Sequence, residues 1–349
     1  MKNFGFLGWV ALAASSLTAA VACQLEAEPP TPVVTSQRAL EGHETQSVAP
    51  PAAQAVQLAD RQVVTLPWGA GDGAVGIEPG GAESLSYGPN AVAIASSGES
   101  LILDRINERI LRVAADGAVH KVAAVPKDAE ELVAGAGNIV AFSPVRGQAW
   151  FFDASGSPAG TLAVPRALRE LTSLSVGASR RLTVHTGFQE RLELGSPSAP
   201  LALEVTLRSK REGAFALSDG SAVALRASAG RAELLLLSQG EGEVRSRVLS
   251  TRALPGAITA ARLLGAHGMT VCLRTERVQS LPELVVDRRA VCVDLASGSV
   301  VHDEALPAPG LYLPRTELAF HEGRLCHLHA SEAGLVVKNS LVQSKAVTP

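Results

Sequence analysis

Three groups of side chains in this 349-residue chain have types and spacings that could do chemistry. Asp104, Asn107 and Arg109 fall within six positions between two apolar runs, so one turn would gather a carboxylate, an amide and a guanidinium. Such a set either locks the turn, because Asp and Asn side chains bond nearby backbone, or offers a contact to a ligand; the turn lock is the favoured reading. Cys272 and Cys292 sit on consecutive apolar runs, Thr270-Val-Cys-Leu273 and Ala290-Val-Cys-Val293, and would face each other if the intervening hairpin centred near Pro282. They form a candidate cross-strand disulfide in an oxidising compartment, with Cys326 left as a small buried apolar residue. His327 and His329 are two apart on a further run, so both point to one face, opposite Cys326 and Leu328. With His321 as a distant third ligand they could begin a metal site. Packing or solvation of the pair is the favoured reading, and no metal is assigned.

Other motifs fail on what stands beside them. Gly71-Asp-Gly-Ala-Val-Gly76 spells G-x-G-x-x-G, but no helical pattern and no Lys-Ser/Thr pair follows, so it does not read as a phosphate loop. His321-Glu322 lacks the second His of a zinc-protease helix, position 325 being Leu. No Cys-x-x-Cys and no G-x-S-x-G occurs. No catalytic residue and no cofactor is therefore assigned. Arg208-Ser-Lys-Arg211 and Arg288-Arg289 flank apolar runs and read as solvated turns. The net charge of −3, from 31 basic and 34 acidic residues, speaks against a nucleic-acid partner.

The first 22 residues carry Lys2, an apolar stretch from Phe4 to Leu17 and small residues ending in Ala20-Val21-Ala22. This is the pattern of a secretory signal peptide. Cys23 follows directly, in a context that resembles the bacterial lipobox, although Ala20 stands where Leu is usual. The resemblance implies acylation of Cys23 as the new N-terminus, with acyl chains enough for stable anchoring. Ordinary cleavage after Ala22, leaving an unmodified Cys23, is the other outcome. Gln24 is not the Asp that favours inner-membrane retention, which points to the outer membrane. Residues 23–59 hold five prolines and no aromatic residue, and read as a disordered tether.

From residue 60 to about 345 the texture is that of short apolar runs broken by Gly, Pro, Asp and Ser at intervals of 8–12 residues or so, an all-β signature. Long helical periodicity is missing; Val164 to Leu174 offers at most one or two turns. A recurring unit reads as strand, Gly-led turn, strand: residues 92–104, 140–153, 213–226 and 318–330, with looser copies at 261–273 and 174–186. The turn glycines are Gly98, Gly147, Gly220, Gly268 and Gly323. A repeat of this size with three or four strands fits a β-propeller, since a lone blade cannot bury both of its faces. Six blades of four antiparallel strands are predicted, at roughly 88–125, 131–165, 172–208, 213–250, 257–306 and 316–341. The last has three clear strands, and Arg61 to Leu66 is available to complete it and close the ring.

The first blade resembles the NHL repeat. Gly88-Pro-Asn-Ala-Val-Ala-Ile94, Ser97-Gly98, Leu101-Ile-Leu-Asp104 and Asn107-Glu-Arg-Ile110 are similar to that family's G-P-x-x-V-A-V strand, its turn and its D-x-x-N-x-R-I ending. The glycine-rich Trp68 to Gly76 is similar to its interblade loops. The likeness covers about 50 residues and implies a six-bladed propeller, in a family that includes binding scaffolds and lyases. Metal-dependent lactonase propellers use a central Glu, Asn and Asp set, whereas the mature chain holds only Asn90, Asn107, Asn138 and Asn339. The expected function is thus a membrane-tethered scaffold whose loops contact a protein, peptide or glycan, with the segment from Thr275 to Asp287 as the longest loop within a blade. A periplasmic lactonase, hydrolase or lyase with a central metal is the alternative.

Overall fold

The computed structural model describes residues 54–58 and 61–342, apart from 82–83, 169–172, 178, 188, 218, 229, 239–245 and 280–284. Residues 1–53, with the signal segment and Cys23, lie outside the described residues. Strands β1 (Gln54–Leu58) and β2 (Arg61–Leu66) precede blade 1, made of β3 (Ala91–Ile94), β4 (Ser100–Asp104), β5 (Arg109–Val113) and β6 (Val119–Ala124). Blade 2 comprises β7 (Glu131–Gly135), β8 (Asn138–Ser143), β9 (Gln148–Asp153) and β10 (Pro158–Ala163). Blade 3 has β11 (Ser173–Val176), β12 (Leu182–His185) and β13 (Glu190–Ser196), its outer edge shared by β14 (Ala199–Pro200) and β15 (Arg211–Glu212). Helix α1 (Leu203–Arg208) runs between those two half-strands. Blade 4 is β16 (Phe215–Ala216), β17 (Ala222–Ser228), β18 (Arg231–Leu237) and β19 (Val248–Ala253). Blade 5 is β20 (Ala260–His267), β21 (Thr270–Gln279), β22 (Val285–Asp294) and β23 (Val300–Ala305). Blade 6 is β24 (Leu318–His321), β25 (Arg324–Ser331) and β26 (Gly334–Leu341).

The ring closes as predicted. Strand β2 pairs antiparallel with β26 from Arg61↔Ser340 to Leu66↔Leu335 and supplies the fourth strand of blade 6. This covers the outer edge of β26 and ties the start of the propeller to its last blade. One boundary differs from the expectation. Strand β1 lies inside the segment read as tether up to residue 59 and pairs with β2 as a fifth, outermost strand. Its Gln-Ala-Val-Gln-Leu sequence has no proline, so no position lacks the backbone N–H that pairing with β2 requires.

Strands in the middle of a blade are covered on both faces by neighbouring blades, which explains why all six residues of β8 are buried rather than alternate ones. Outer strands revert to exposure: in β10 only Leu162 is buried. Buried aliphatic clusters fill the interfaces between blades 1 and 2, 2 and 3, 4 and 5, 5 and 6, and 6 and 1. Among the described residues, no comparable cluster fills the interface between blades 3 and 4. There Gln189 hydrogen-bonds both the N–H and the carbonyl of Leu225, and His185 packs against Phe215 with ring centroids 4.9 Å apart.

The turn glycines behave as the repeat requires, with φ of 85° at Gly98, 81° at Gly220, 57° at Gly268 and 74° at Gly323, each between the first two strands of a blade. Gly147 is different: it lies between β8 and β9, the second and third strands of blade 2, and the turn between the first two strands of that blade is Ala136-Gly137. The segment from Thr275 to Asp287 is not a loop. Strands β21 and β22 stay paired to Gln279↔Val285, so the expected loop is a hairpin whose arms carry ten residues each.

Candidate functional site

Strand register defines one end of the ring. Ala91 pairs with Leu103, Glu131 with Phe142 and Ala260 with Glu276, so the starts of the inner strands share an end with the turns joining second to third strands. Asp104 to Arg109 and the long β21–β22 hairpin belong to this end. A cavity of about 210 Å³ lies on the axis, lined by Val92 and Ile94 of β3, Leu132 of β7, Val176 of β11, Leu263 of β20 and Phe320 of β24. Charged side chains line it as well: Glu131, Arg262, Arg274, Arg315 and Glu317.

These charges form a network across blades 2, 5 and 6. Arg315 bridges Glu130 at 2.7 Å and Glu131 at 3.1 Å. Glu317 receives Arg274 at 3.3 Å and also pairs with Arg288, whose Nε is 3.9 Å from Glu276. Arg274 pairs with Glu276 along its own strand. Arg262 feels all sides: Glu131 and Glu317 favour its charge, whereas Arg274, Arg315 and above all burial oppose it and pull its pKa down. Burial pushes the Glu131 carboxyl up even against Arg315 and Arg262, because desolvation outweighs the two opposite charges. The cavity thus combines apolar walls with paired guanidinium and carboxylate groups, and the planar Arg fork is the group that matches a ligand carboxylate.

Most of this network was not anticipated. Arg288-Arg289, expected as a solvated turn, lies in β22, and Arg288 is buried against Glu317. The correction follows from the long hairpin: these positions lie within the paired strand β22, where Arg288 reaches Glu317 and Arg289 reaches Asp303. A readable signal existed: Glu131 is the first residue of an inner strand, Glu317 stands just before one and Arg262 is the third residue of one, where an otherwise apolar repeat admits a charge.

A second chamber of about 140 Å³ opens between blades 3 and 4 and shares Ser173, Phe215, Arg262 and Leu263 with the axial cavity. His185 lines it, with Nε2 2.8 Å from Oγ of Ser175, a residue that lines the axial cavity. Burial drives His185 down to about 4, although a hydrogen bond to the Ala214 backbone favours the charged form and Arg191 opposes it.

The residues singled out from sequence fall elsewhere. Asp104 is fully buried and accepts Arg109 Nε at 2.9 Å, Asn107 Nδ2 at 2.8 Å and the Gly76 N–H at 3.0 Å. Arg109 also donates to the carbonyls of Gly71 and Ala74, and Asn107 to that of Gly69. The trio thus bonds within itself and to the backbone of residues 69–76. Cys272 and Cys292 are directly opposed, with Cα atoms 4.0 Å apart and their sulfurs joined, inside the apolar cluster between blades 5 and 6. Cys326 is buried and contacts Ser100 Oγ at 3.2 Å. His327 and His329 lie on one face, ring centroids 6.4 Å apart. Among the described residues, no three His, Cys, Asp or Glu side chains converge in a way that could hold a metal ion. Cys23 lies outside the described residues.

No protein-family model matches the chain, and no curated protein matches it in sequence. Solved structures resemble it at low identity. A virginiamycin B lyase from Staphylococcus aureus is 10% identical, covering 73% of this chain and 95% of that one at a TM-score of 0.42. A gluconolactonase from Xanthomonas campestris is 13% identical over 84% of this chain and 96% of that one, at 0.39. A PQQ-bound aldose sugar dehydrogenase from Streptomyces coelicolor is 12% identical over 84% and 99%, at 0.41. Likeness of this degree concerns the propeller fold alone.

Proposed function

We propose that the chain is an exported, lipid-tethered propeller that binds a carboxylate-bearing protein, peptide or glycan at the end of the ring where the axial cavity opens. The observation that carries the reading is the placement of Arg262, Arg274 and Arg315 around one cavity, beside the carboxylates of Glu131 and Glu317. The rim of the same end supports it. Tyr87, Val145, Leu313 and, on the hairpin, Val278, Val285 and Val286 are exposed in its connections and hairpin arms. Apolar groups around a charged centre are the composition of a recognition face. Immobilised full-length chain should retain an envelope component that is released by raised salt. The Arg274→Gln/Arg315→Gln variant should retain at least tenfold less, and equal retention by the two proteins would overturn the reading.

The anchoring half of the proposal rests on Cys23 following Ala20-Val-Ala22. Radiolabelled palmitate is expected in the wild type and not in Cys23→Ala. Equal labelling would remove the anchor. The alternative, an enzyme with a central metal, needs ligands that converge on the axis. The carboxylates there, Glu131 and Glu317, are instead engaged by Arg315 and by Arg274 and Arg288.

A further inference from the structure

Among the described residues, the interface between blades 3 and 4 differs from the other five in carrying polar groups and a chamber where its counterparts carry aliphatic clusters. Its origin is local. Strands β11 and β12 pair Ser173 with His185 and Ser175 with Thr183, so both serines and the imidazole emerge on one face of the sheet. Leu174, Val176, Leu182 and Val184 emerge on the other and fill the core against blade 2. The polar face meets blade 4 at Phe215 and Ala214.

We propose that Ser175 and His185 form a nucleophile and general base for the hydrolysis of small carboxylic esters in the two adjoining chambers. The geometry satisfies the requirements of such a pair. Ser175 Oγ is 2.8 Å from His185 Nε2, within the reach needed for proton transfer. The Ala214 backbone beside the ring favours its charged form, the form the imidazole takes on accepting the serine proton. Phe215 against the ring fixes its plane. Ser175 is half-buried and lines the axial cavity, whereas His185 is buried behind it, so the hydroxyl faces the substrate space and the base is shielded. Arg262 lines both chambers and can hold the oxyanion.

The step balances without a co-reactant other than water. Ser175 Oγ bonds to the ester carbonyl carbon and its proton passes to His185 Nε2. Collapse of the tetrahedral species breaks the ester C–O bond, and the leaving alkoxide takes that proton as the alcohol. Water then attacks the acyl-serine, giving its proton to His185, and Ser175 is regenerated as the carboxylic acid leaves.

The test is treatment of the full-length chain with a fluorophosphonate probe, followed by peptide mass mapping and p-nitrophenyl butyrate hydrolysis. One adduct, on Ser175, is expected. Ser175→Ala should abolish it together with ester hydrolysis, and Ser173→Ala should keep both. His185→Gln should slow labelling on the order of 100-fold or more. Since Ser175→Ala removes one oxygen only, its far-ultraviolet circular dichroism and thermal midpoint should match the wild type and separate loss of chemistry from loss of fold. An adduct absent from Ser175 in the wild type, or labelling of His185→Gln at the wild-type rate, would overturn the proposal. Neither result depends on whether the arginine-lined face binds a partner.

Discussion

Asp104→Ala is expected to lower the stability of the domain by about 3–5 kcal/mol, the range for breaking a buried ion pair from one side. The Arg109 side chain is 7% exposed and the Asp104 side chain 0%, so solvent cannot replace the lost carboxylate. The variant would strand a guanidinium charge, the Gly76 N–H and part of the Asn107 amide at once. The consequence reaches beyond blade 1. Residues 67–90 are the covalent link between β2, which completes blade 6, and β3, which begins blade 1. The trio of Asp104, Asn107 and Arg109 fastens the first part of that link, from Gly69 to Gly76, to the turn of blade 1. Gly76 is required for the same reason: a Cβ there would lie 2.5 Å from that of Ile106. The urea midpoint of Asp104→Ala should fall accordingly, with a loss on the order of 10 °C in thermal midpoint. Replacing both charges, as in Asp104→Leu/Arg109→Met, should recover part of the loss, because no unpaired buried charge remains. A single variant as stable as the wild type would show that the lock does not hold the closure.

How much of this was legible in the sequence depends on which physical signal each part leaves. Blade number and ring closure were, because a blade repeats its turn chemistry. Asp153 accepts from the N–H groups of Ser155 and Ser157, Asp294 from Ser297 and Asp116 from Ala118, and glycines with positive φ recur after the first strand. The Asp104 trio was legible because its partners are close in sequence. Register within blade 2 was not, since the Ala136-Gly137 turn is tighter than the Gly147 turn and resembles the repeat less. Helix α1 leaves little sequence signal. Its Leu203, Val205 and Leu207 are exposed and Thr206 is its buried residue, so no apolar stripe announces it. The axial charges were invisible for a different reason. Glu131, Arg262 and Glu317 are far apart in the chain and come together because inner strands of different blades share an axis, and Arg288 reaches Glu317 from β22. Likewise Ser175 and His185 are ten residues apart, diagonal across a two-strand register that spacing alone does not define.

Acidification supplies the second large effect, and its sign follows from two buried histidines. Burial lowers both His185 and His327 from 6.5 to about 4. For His327 the charge of Glu317 works against this shift, whereas His329 and Arg288 add to it. Above pH 6.5 each imidazole is neutral in folded and unfolded chains alike, so neither affects the balance. Between pH 6.5 and 4 the unfolded chain binds protons that the folded chain refuses, and stability falls as the pH falls. A shift of this size corresponds to about 3 kcal/mol for each histidine by pH 4. Both residues are buried, at 3% and 7% exposure, so solvent screening removes little of the effect. Glu131 acts in the opposite sense: its raised pKa lets the folded chain bind a proton first and stabilises it as the pH drops through that range. His302 and His321, lowered by burial as well, act in the same sense as the two buried histidines. Urea unfolding at pH 7, 5.5 and 4 should show midpoints that decline steadily, and His327→Gln should flatten the decline by roughly half. A midpoint unchanged from pH 7 to 4 would mean that these imidazoles are solvated, and that the interface between blades 3 and 4 is more open than its packing indicates.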